Sequence, residues 1–290
     1  MTKYIKLICT AIIFALVISA CNFPKEETPD PHEGMVQVND GAEISWVPPI
    51  ENLPVSTLRA EDFTSSDGFV YYSGQAEQGI DVSEHQLDID WEAVAASGQV
   101  DFAYIRAGYR GYTEGQIYED SYFRQNIEGA IANGIPVGVY FFSQAITAEE
   151  AVEEAQFLLS LIDGYELSLP IVYDWERVEP VDARTNELSG ETLTDCAIAF
   201  CQTVEDAGYD ASVYFYRHLG YYDYELGRLA DYDFWVGAPG EAPDFYYRYR
   251  LWQYSYTGSV PGIEGEVDLN LMFQEQPDAQ TEESDNGDGN

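Results

Sequence analysis

Two acidic residues stand one residue apart at the end of an apolar, β-branched stretch, Pro170-Ile-Val-Tyr-Asp-Trp-Glu176. Side chains alternate between the two faces of a strand, so Asp174 and Glu176 are expected on one face and Trp175 on the other. If the strand belongs to a barrel, paired carboxylates at its end suit general acid/base chemistry on a glycosidic bond. The alternative is a pair of solvated acids in a loop, because the chain contains 52 Asp and Glu residues.

The N-terminus predicts the compartment. Lys3 and Lys6 precede an apolar stretch over 7–20, the layout of a secretory signal peptide rather than a membrane span. The sequence Ile18-Ser-Ala-Cys21 resembles a bacterial lipobox, so Cys21 is expected to carry the lipid after residues 1–20 are removed. An ordinary signal peptide with an incidental cysteine is the alternative. The lipobox interpretation predicts a secreted protein anchored to the outer face of the bacterial cytoplasmic membrane.

Composition divides the rest of the chain. We expect an acidic, Pro-rich tether over 21–43, an N-terminal extension over 44–78 that packs on a barrel over 79–274, and a disordered acidic tail over 275–290. The net charge of −39 argues against nucleic acid as a partner. Cys196 and Cys201 lie five residues apart in a helical pattern, a rise of about 7.5 Å on different faces, which predicts two buried thiols rather than a disulfide.

Strands and helices alternate along the body. Strands are predicted at 79–82, 102–106, 137–142, 170–174 and 212–216, and helices at 91–97, 120–133, 147–162 and 189–207. Three further strands, 234–237, 250–254 and 267–269, follow with little room for helices between them. This order predicts an α/β fold, an irregular (β/α) barrel of about five βα units and three closing strands.

Six motifs in register carry a resemblance. They are Gly79-Ile-Asp-Val-Ser-Glu-His-Gln86, Arg106-Ala-Gly-Tyr-Arg-Gly111, Gly138-Val-Tyr-Phe-Phe-Ser143, Tyr173-Asp-Trp-Glu176, Trp252-Gln-Tyr-Ser255 and Val267-Asp-Leu-Asn270. Together they resemble the glycoside hydrolase family 25 lysozymes, the muramidases of bacteria and phages. The resemblance covers about 79–273 and implies cleavage of the β-1,4 bond between N-acetylmuramic acid and N-acetylglucosamine in peptidoglycan. The second motif departs from the family's Lys-Ala-Thr-Glu-Gly, which affects contacts at the rim.

The resemblance assigns four catalytic acids: Asp81, Asp174, Glu176 and Asp268. Several carboxylates in one cleft cannot all ionise near pH 4, so at least one is expected to stay protonated. We assign that role to Glu176, as the general acid. Asp174 would orient the substrate's 2-acetamido group for attack on the anomeric carbon, with Asp81 or Asp268 stabilising the charge. A direct carboxylate nucleophile is the alternative.

Other residues are candidates for substrate contacts: Arg106, Tyr140, Trp235 and Gln253, with Trp252 beside them. For the aromatic residues packing is the alternative. His85 and His218 are isolated, and without a His pair or Cys cluster no zinc site is expected, although carboxylates could hold Mg²⁺. We expect no cofactor and a monomer. Two other functions stay open, a metal-dependent hydrolase using the same acids and a lipoprotein that only binds peptidoglycan.

Overall fold

An eight-stranded closed barrel forms the centre of the protein. The computed structural model describes residues 30–274, so the predicted signal peptide, Cys21 and the acidic tail lie outside the described residues. In chain order the strands are β1 (Val36–Asn39), β2 (Ile44–Val47), β3 (Phe63–Ser66), β4 (Phe69–Tyr72), β5 (Ala76–Val82), β6 (Phe102–Arg110), β7 (Ile117–Glu119), β8 (Val137–Ser143), β9 (Ile171–Trp175), β10 (Ala211–Tyr216), β11 (Asp233–Gly237), β12 (Leu251–Gly258) and β13 (Val267–Phe273).

The barrel is parallel except at its last strand. From β5 through β6, β8, β9, β10 and β11 to β12, each strand pairs in parallel with the next. Strand β13 runs antiparallel to both β12 and β5 and closes the barrel. Strand β7 pairs with the far end of β6, outside this ring. The predicted irregular barrel is confirmed, and β6, β12 and β13 are longer than the sequence indicated.

Four α-helices connect the first strands: α1 (Trp91–Ser97), α2 (Phe123–Ala132), α3 (Ala148–Ile162) and α4 (Gly190–Asp206). Thr147 caps α3 by accepting a hydrogen bond from the backbone N–H of Glu150, as its sequence pattern predicts. After β10 the chain forms a π-helical turn, Leu219–Asp223, and a 3₁₀ turn, Leu226–Leu229, in place of a fifth long helix. Among residues 30–274, no helix is both long and apolar enough to cross a membrane.

The prediction that α2 begins at Asp120 is wrong. The helix begins at Phe123, and Asp120 is 1% exposed. Its carboxylate accepts hydrogen bonds from the Arg106 guanidinium at 2.7 Å and from the backbone N–H of Glu84 at 3.0 Å. Asp120 therefore ties the turn after β5 to the middle of β6 instead of capping a helix.

Aromatic side chains fill the barrel interior below its mouth. The buried side chains that share this cluster are Phe102, Tyr104, Tyr140, Val172, Tyr214, Trp235, Leu251 and Met272. Glycines make room for two of these rings, because a Cβ on Gly79 would lie 2.2 Å from the Phe102 ring and one on Gly138 would lie 2.4 Å from Tyr104. The interior is packed, so a ligand can enter only at the mouth.

The N-terminal extension covers strands that have no helix. Strands β3 and β4 form a hairpin whose Phe63 meets the outward-facing Trp252 of β12 edge to face at 5.6 Å and Phe273 of β13 at 6.1 Å. The hairpin takes the place that helices take beside β5 to β9. Its packing partners come from the other end of the chain, which joins the extension to the barrel core.

A second hairpin, β1–β2, begins inside the range predicted as tether. Strand β1 pairs with β2 from Val36 to Asn39, and Val38 and Val47 are buried. The tether predicted over 21–43 therefore extends too far. The prediction of buried thiols is confirmed, because Cys196 and Cys201 are both free and buried.

Candidate active site

A cleft of about 1400 Å³ opens where the parallel strands end. Because β13 runs the other way, its beginning, rather than its end, lies at this mouth. The register pairs Asp268 of β13 directly with Asp81 of β5. Asp174 and Glu176 reach the same cleft from β9, so all four predicted acids line it.

Asp81 is a buried acid surrounded by hydrogen-bond donors. Its Oδ2 accepts from the Gln253 side chain at 2.9 Å and from the Asn270 side chain at 2.8 Å. Burial raises the pKa of Asp81 to about 6, although bonds from Asn270, Gln253 and Asp268 favour its charged form. Burial, followed by the charges of Asp81 and Glu176, raises the pKa of Asp268 to about 8. Asp268 therefore holds the proton and donates a hydrogen bond to Asp81, which is the ionised partner.

Asp174 and Glu176 share one face of the chain, as strand alternation predicted. Trp175 between them is 2% exposed and packs in the core outside the barrel. Burial and the charge of Glu176 raise the pKa of Asp174 well above its usual value. Burial, with the charge of Asp81, raises the pKa of Glu176 to about 7.

One oxygen of Asp174 has no hydrogen-bond partner within residues 30–274. The side chain is buried, and its Oδ1 accepts no bond from any protein group in that range. A buried carboxylate oxygen is costly to leave unpaired. It is therefore available to a donor group on a ligand in the cleft.

Gln253 and Trp235 line the cleft, but their polar atoms are bonded inside the protein. The Tyr214 hydroxyl donates to Gln253 Oε1 at 2.8 Å, which aims the amide nitrogen at Asp81 and, at 3.1 Å, at Asp268. Trp235 Nε1 donates to Asn270 Oδ1 at 2.9 Å, which fixes the orientation of the Asn270 amide. These contacts position the acids. The Trp235 ring itself is 2% exposed and packs against the rings of Tyr104 at 4.9 Å and Tyr214 at 5.1 Å.

Asn270 and Tyr214 are site residues that sequence reasoning missed. Asn270 stands two residues after Asp268 in β13, so alternation places it on the same inward face. This two-residue spacing from Asp268 is the sequence signal that identifies Asn270 as a site residue. Tyr214 carries no comparable signal, because its partner Gln253 lies 39 residues further along the chain.

Arg106 also lies in the cleft, where its guanidinium forms ion pairs. It contacts Asp120 at 2.7 Å and Glu84 at 3.1 Å. Its charge acts on Asp174 by lowering that pKa, a smaller effect than the burial and the neighbouring charges that raise it. Tyr140 lines the same wall, with its ring edge to face against Trp235 at 6.1 Å.

Trp252 does not lie in the cleft. Gln253 points inward, so Trp252 points outward, where it is fully buried and donates to the backbone oxygen of Ala238 at 2.7 Å. The suggestion that it contacts a sugar is wrong, and packing is its role. His85 and His218 both line the cleft. In the described part of the chain, no three His, Cys, Asp or Glu side chains form a group suited to a metal ion.

Buried carboxyl groups with raised pKa values, gathered at the mouth of a barrel among aromatic rings, are what a glycoside hydrolase needs. Comparison with known proteins identifies the family. Glycosyl hydrolases family 25 matches residues 80–263, and the chain belongs to this family. The resemblance drawn from the six motifs is thereby confirmed.

Lysozymes are among the relatives of the chain. Lysozyme M1 of Streptomyces globisporus is 32% identical over 206 residues, which are 67% of this chain and 66% of that protein. A bacterial lysozyme from Streptomyces coelicolor matches in structure with a TM-score of 0.58 and 28% identity over 70% of this chain and 94% of its own.

The modular autolysin LytC from Streptococcus pneumoniae, solved with a synthetic peptidoglycan ligand, gives a TM-score of 0.61 at 30% identity over 73% of this chain. This chain spans about half of LytC, 52% of its length. The barrel is a glycoside hydrolase of the lysozyme type, and its substrate class is peptidoglycan.

Proposed function

We propose that the protein hydrolyses the β-1,4 bond between N-acetylmuramic acid and N-acetylglucosamine in peptidoglycan. The observation that carries the proposal is the convergence of Asp81, Asp174, Glu176 and Asp268 in one aromatic-lined cleft. Their environments differ, and this difference divides the catalytic roles among them.

Glu176 is the general acid. Its pKa of about 7 lies close to a neutral working pH, which suits a group that must hold a proton and then release it. It also lies beyond the last residue of β9 and is less buried than Asp174, so its carboxyl group can approach a glycosidic oxygen. Glu176 gives its proton to the leaving oxygen as the glycosidic bond breaks.

Asp174 orients the substrate's 2-acetamido group. The unpartnered Oδ1 accepts the acetamido N–H, and this bond favours the ionised form of Asp174. The acetamido carbonyl oxygen then attacks the anomeric carbon and forms a cyclic intermediate. Water then attacks the anomeric carbon and opens the cyclic intermediate. The Glu176 carboxylate takes up the proton that the water loses, which restores the protonated form of Glu176.

Asp81 is the fixed anion beside the reacting carbon. It is held by donors from Asn270 and Gln253, and the proton on Asp268 completes the set. A buried charge held in this way stabilises the positive charge of an oxocarbenium-like transition state without having to reorganise. The geometry thus favours Asp81 over Asp268 for this role.

The proposal includes a location. Cys21, lipidated after removal of residues 1–20, anchors the protein at the outer face of the cytoplasmic membrane. The support is the lipobox-like sequence alone, because residues 1–29 lie outside the described range.

The test is to digest purified peptidoglycan with the protein and to identify the new reducing ends. New muramic acid ends are expected, and new glucosamine ends would make the enzyme a glucosaminidase. Glu176→Gln should lower the rate by about 10²–10⁴-fold, because it removes the transferable proton and keeps the size of the side chain.

A substrate with a good leaving group separates the two acids of β9. Such a substrate needs little protonation, so it should restore activity to Glu176→Gln and not to Asp174→Asn. Glu179→Gln, the same change at an exposed acid three residues further on, is the control and should keep the wild-type rate. Near-normal lysis by Glu176→Gln would place the acid elsewhere among the four carboxyl groups.

A further inference from the structure

The turn of the β1–β2 hairpin forms part of the cleft wall. Asp40, Gly41 and Ala42 line the same cavity as the four catalytic acids. The hairpin lies outside residues 80–263, the segment that matches the family. It is therefore a wall that this chain adds to the barrel.

Side-chain contacts fix the hairpin in place from both of its strands. Asn39 donates to Asp244 at 2.7 Å, and the same carboxylate oxygen pairs with Arg217, just after β10. From β2, the Ser45 hydroxyl contacts the Tyr222 hydroxyl. Within the turn, Asp40 accepts bonds from the backbone N–H groups of Ala42 and Glu43 at 2.8 and 2.9 Å. The turn is thus held rigidly against the loop that follows β10.

The hairpin lengthens the cleft at one end. In the closed ring of eight strands, β10 is four strands away from β5 in both directions. The residues after β5, Glu84 to Gln86, line the cleft on the opposite side of the mouth from the hairpin. A ligand that contacts both sides must cross the mouth over the catalytic acids.

The geometry points to an additional sugar-binding subsite between the hairpin turn and the end of β10, which holds a glycan unit distant from the bond that is cut. This inference rests on the proposed function and deepens it. Half-buried Tyr216, the last residue of β10, and exposed His218, whose Nδ1 lies 4.0 Å from Asp40 of the turn, offer ring faces there, and such faces pack against the apolar face of a sugar.

The charges at this end favour a neutral sugar over a charged stem peptide. Arg217 is paired with Asp244, and Asp40 is occupied by its own turn, with His218 Nδ1 at 4.0 Å from its Oδ2. An ionised peptide would have to compete with these partners, whereas a sugar needs only ring faces and neutral hydrogen bonds.

The experiment measures kcat/KM on peptide-free glycan strands of increasing length. For the wild type, kcat/KM should rise by about two- to tenfold when the strand becomes long enough to reach the hairpin, as one aromatic contact of this kind would give. Ala42→Trp fills the subsite from its wall and should abolish this rise with strand length. Glu43→Trp is the control, because it introduces the same side chain at the next residue, which is exposed and does not line the cleft. It should keep the rise of kcat/KM with strand length.

Each other outcome has a distinct meaning. The same length dependence in Ala42→Trp and the wild type would overturn the subsite and leave the proposed function intact. An equal loss on all strand lengths would also overturn it, because the turn would then act on the catalytic acids. A rise that appears only on peptide-bearing strands would assign the subsite to the peptide instead. A wild type that cuts no glycan strand would overturn the proposed function itself. Binding of long and short strands to Glu176→Gln gives the same comparison without turnover.

Discussion

The hydrogen bond from Asn270 to Asp81 makes the pH dependence of the enzyme a test of the site. Asn270→Leu removes the 2.8 Å bond to the Asp81 carboxylate and retains a side chain of similar size. A hydrogen bond to a charged group is worth about 1.5–3 kcal/mol, and one pKa unit corresponds to about 1.4 kcal/mol. The pKa of Asp81, now about 6, should therefore rise by about one to two units.

Asp81 must be ionised to stabilise the transition state, so its pKa sets the acidic limb of the rate profile. That limb should move to higher pH in Asn270→Leu, because a larger fraction of Asp81 is protonated at any given pH. At pH 6 the rate should fall by about 5- to 50-fold, the loss of ionised fraction that such a shift produces. The assay is kcat on a soluble glycan strand from pH 4 to pH 9.

Trp235→Phe is the matched control. It removes the 2.9 Å bond on the other side of the Asn270 amide and leaves the bond from Asn270 to Asp81 in place. Both variants lose stability, but only Asn270→Leu should move the acidic limb. An acidic limb at the wild-type position in Asn270→Leu would refute the assignment of Asp81 as the essential anion.

Three further predictions concern stability, metals and location. The pKa values of Asp81, Glu176 and Asp268 are raised to about 6, about 7 and about 8, so these three groups bind more protons in the folded protein than in the unfolded chain between about pH 4 and pH 8. The stability that these groups contribute should therefore be highest near pH 4 and fall as pH rises through this window. Asp174→Asn should raise Tm at pH 8 and leave it unchanged at pH 4, because burial raises the pKa of Asp174 well above its usual value and asparagine does not ionise. EDTA should leave wall lysis unchanged, and a loss that Mg²⁺ or Mn²⁺ restores would favour the metal-dependent alternative. Cys21→Ser should move the protein from the membrane fraction to the soluble fraction or leave it as precursor, and undiminished retention in membranes would contradict the lipobox interpretation.

Local patterns predicted the parts of the fold that depend on neighbouring residues. Thr147 was recognised as a cap because its partner lies three residues away, and Asp174 and Glu176 were placed on one face because strand alternation is local. Asp120 was misplaced because its partners are distant in the sequence: Arg106 lies in β6 and Glu84 in the turn after β5. The helical spacing of apolar residues carries no information about contacts with residues that are distant in the sequence.

The contacts that hold Asp81 depend on pairing between strands that are distant in the sequence. Asn270 reaches Asp81 across 189 residues, a contact that exists only once β13 has closed the barrel against β5. Strand β1 was missed for the same reason, since four residues, Val36–Asn39, become a strand only through their partner β2. Trp252 is different, because the inward direction of Gln253 would have placed it outside the barrel.

The packing of the β3–β4 hairpin on the barrel determines how far the protein can be truncated from its N-terminal side without exposing apolar surface. A fragment that begins at the family match, residue 80, would lose Phe63 and Tyr72 and leave the rings of Trp252 and Phe273 facing water. Exposed apolar surfaces of this kind drive aggregation. The smallest unit expected to fold independently therefore begins before β3, and a catalytic domain transplanted into another protein must bring the β3–β4 hairpin with it.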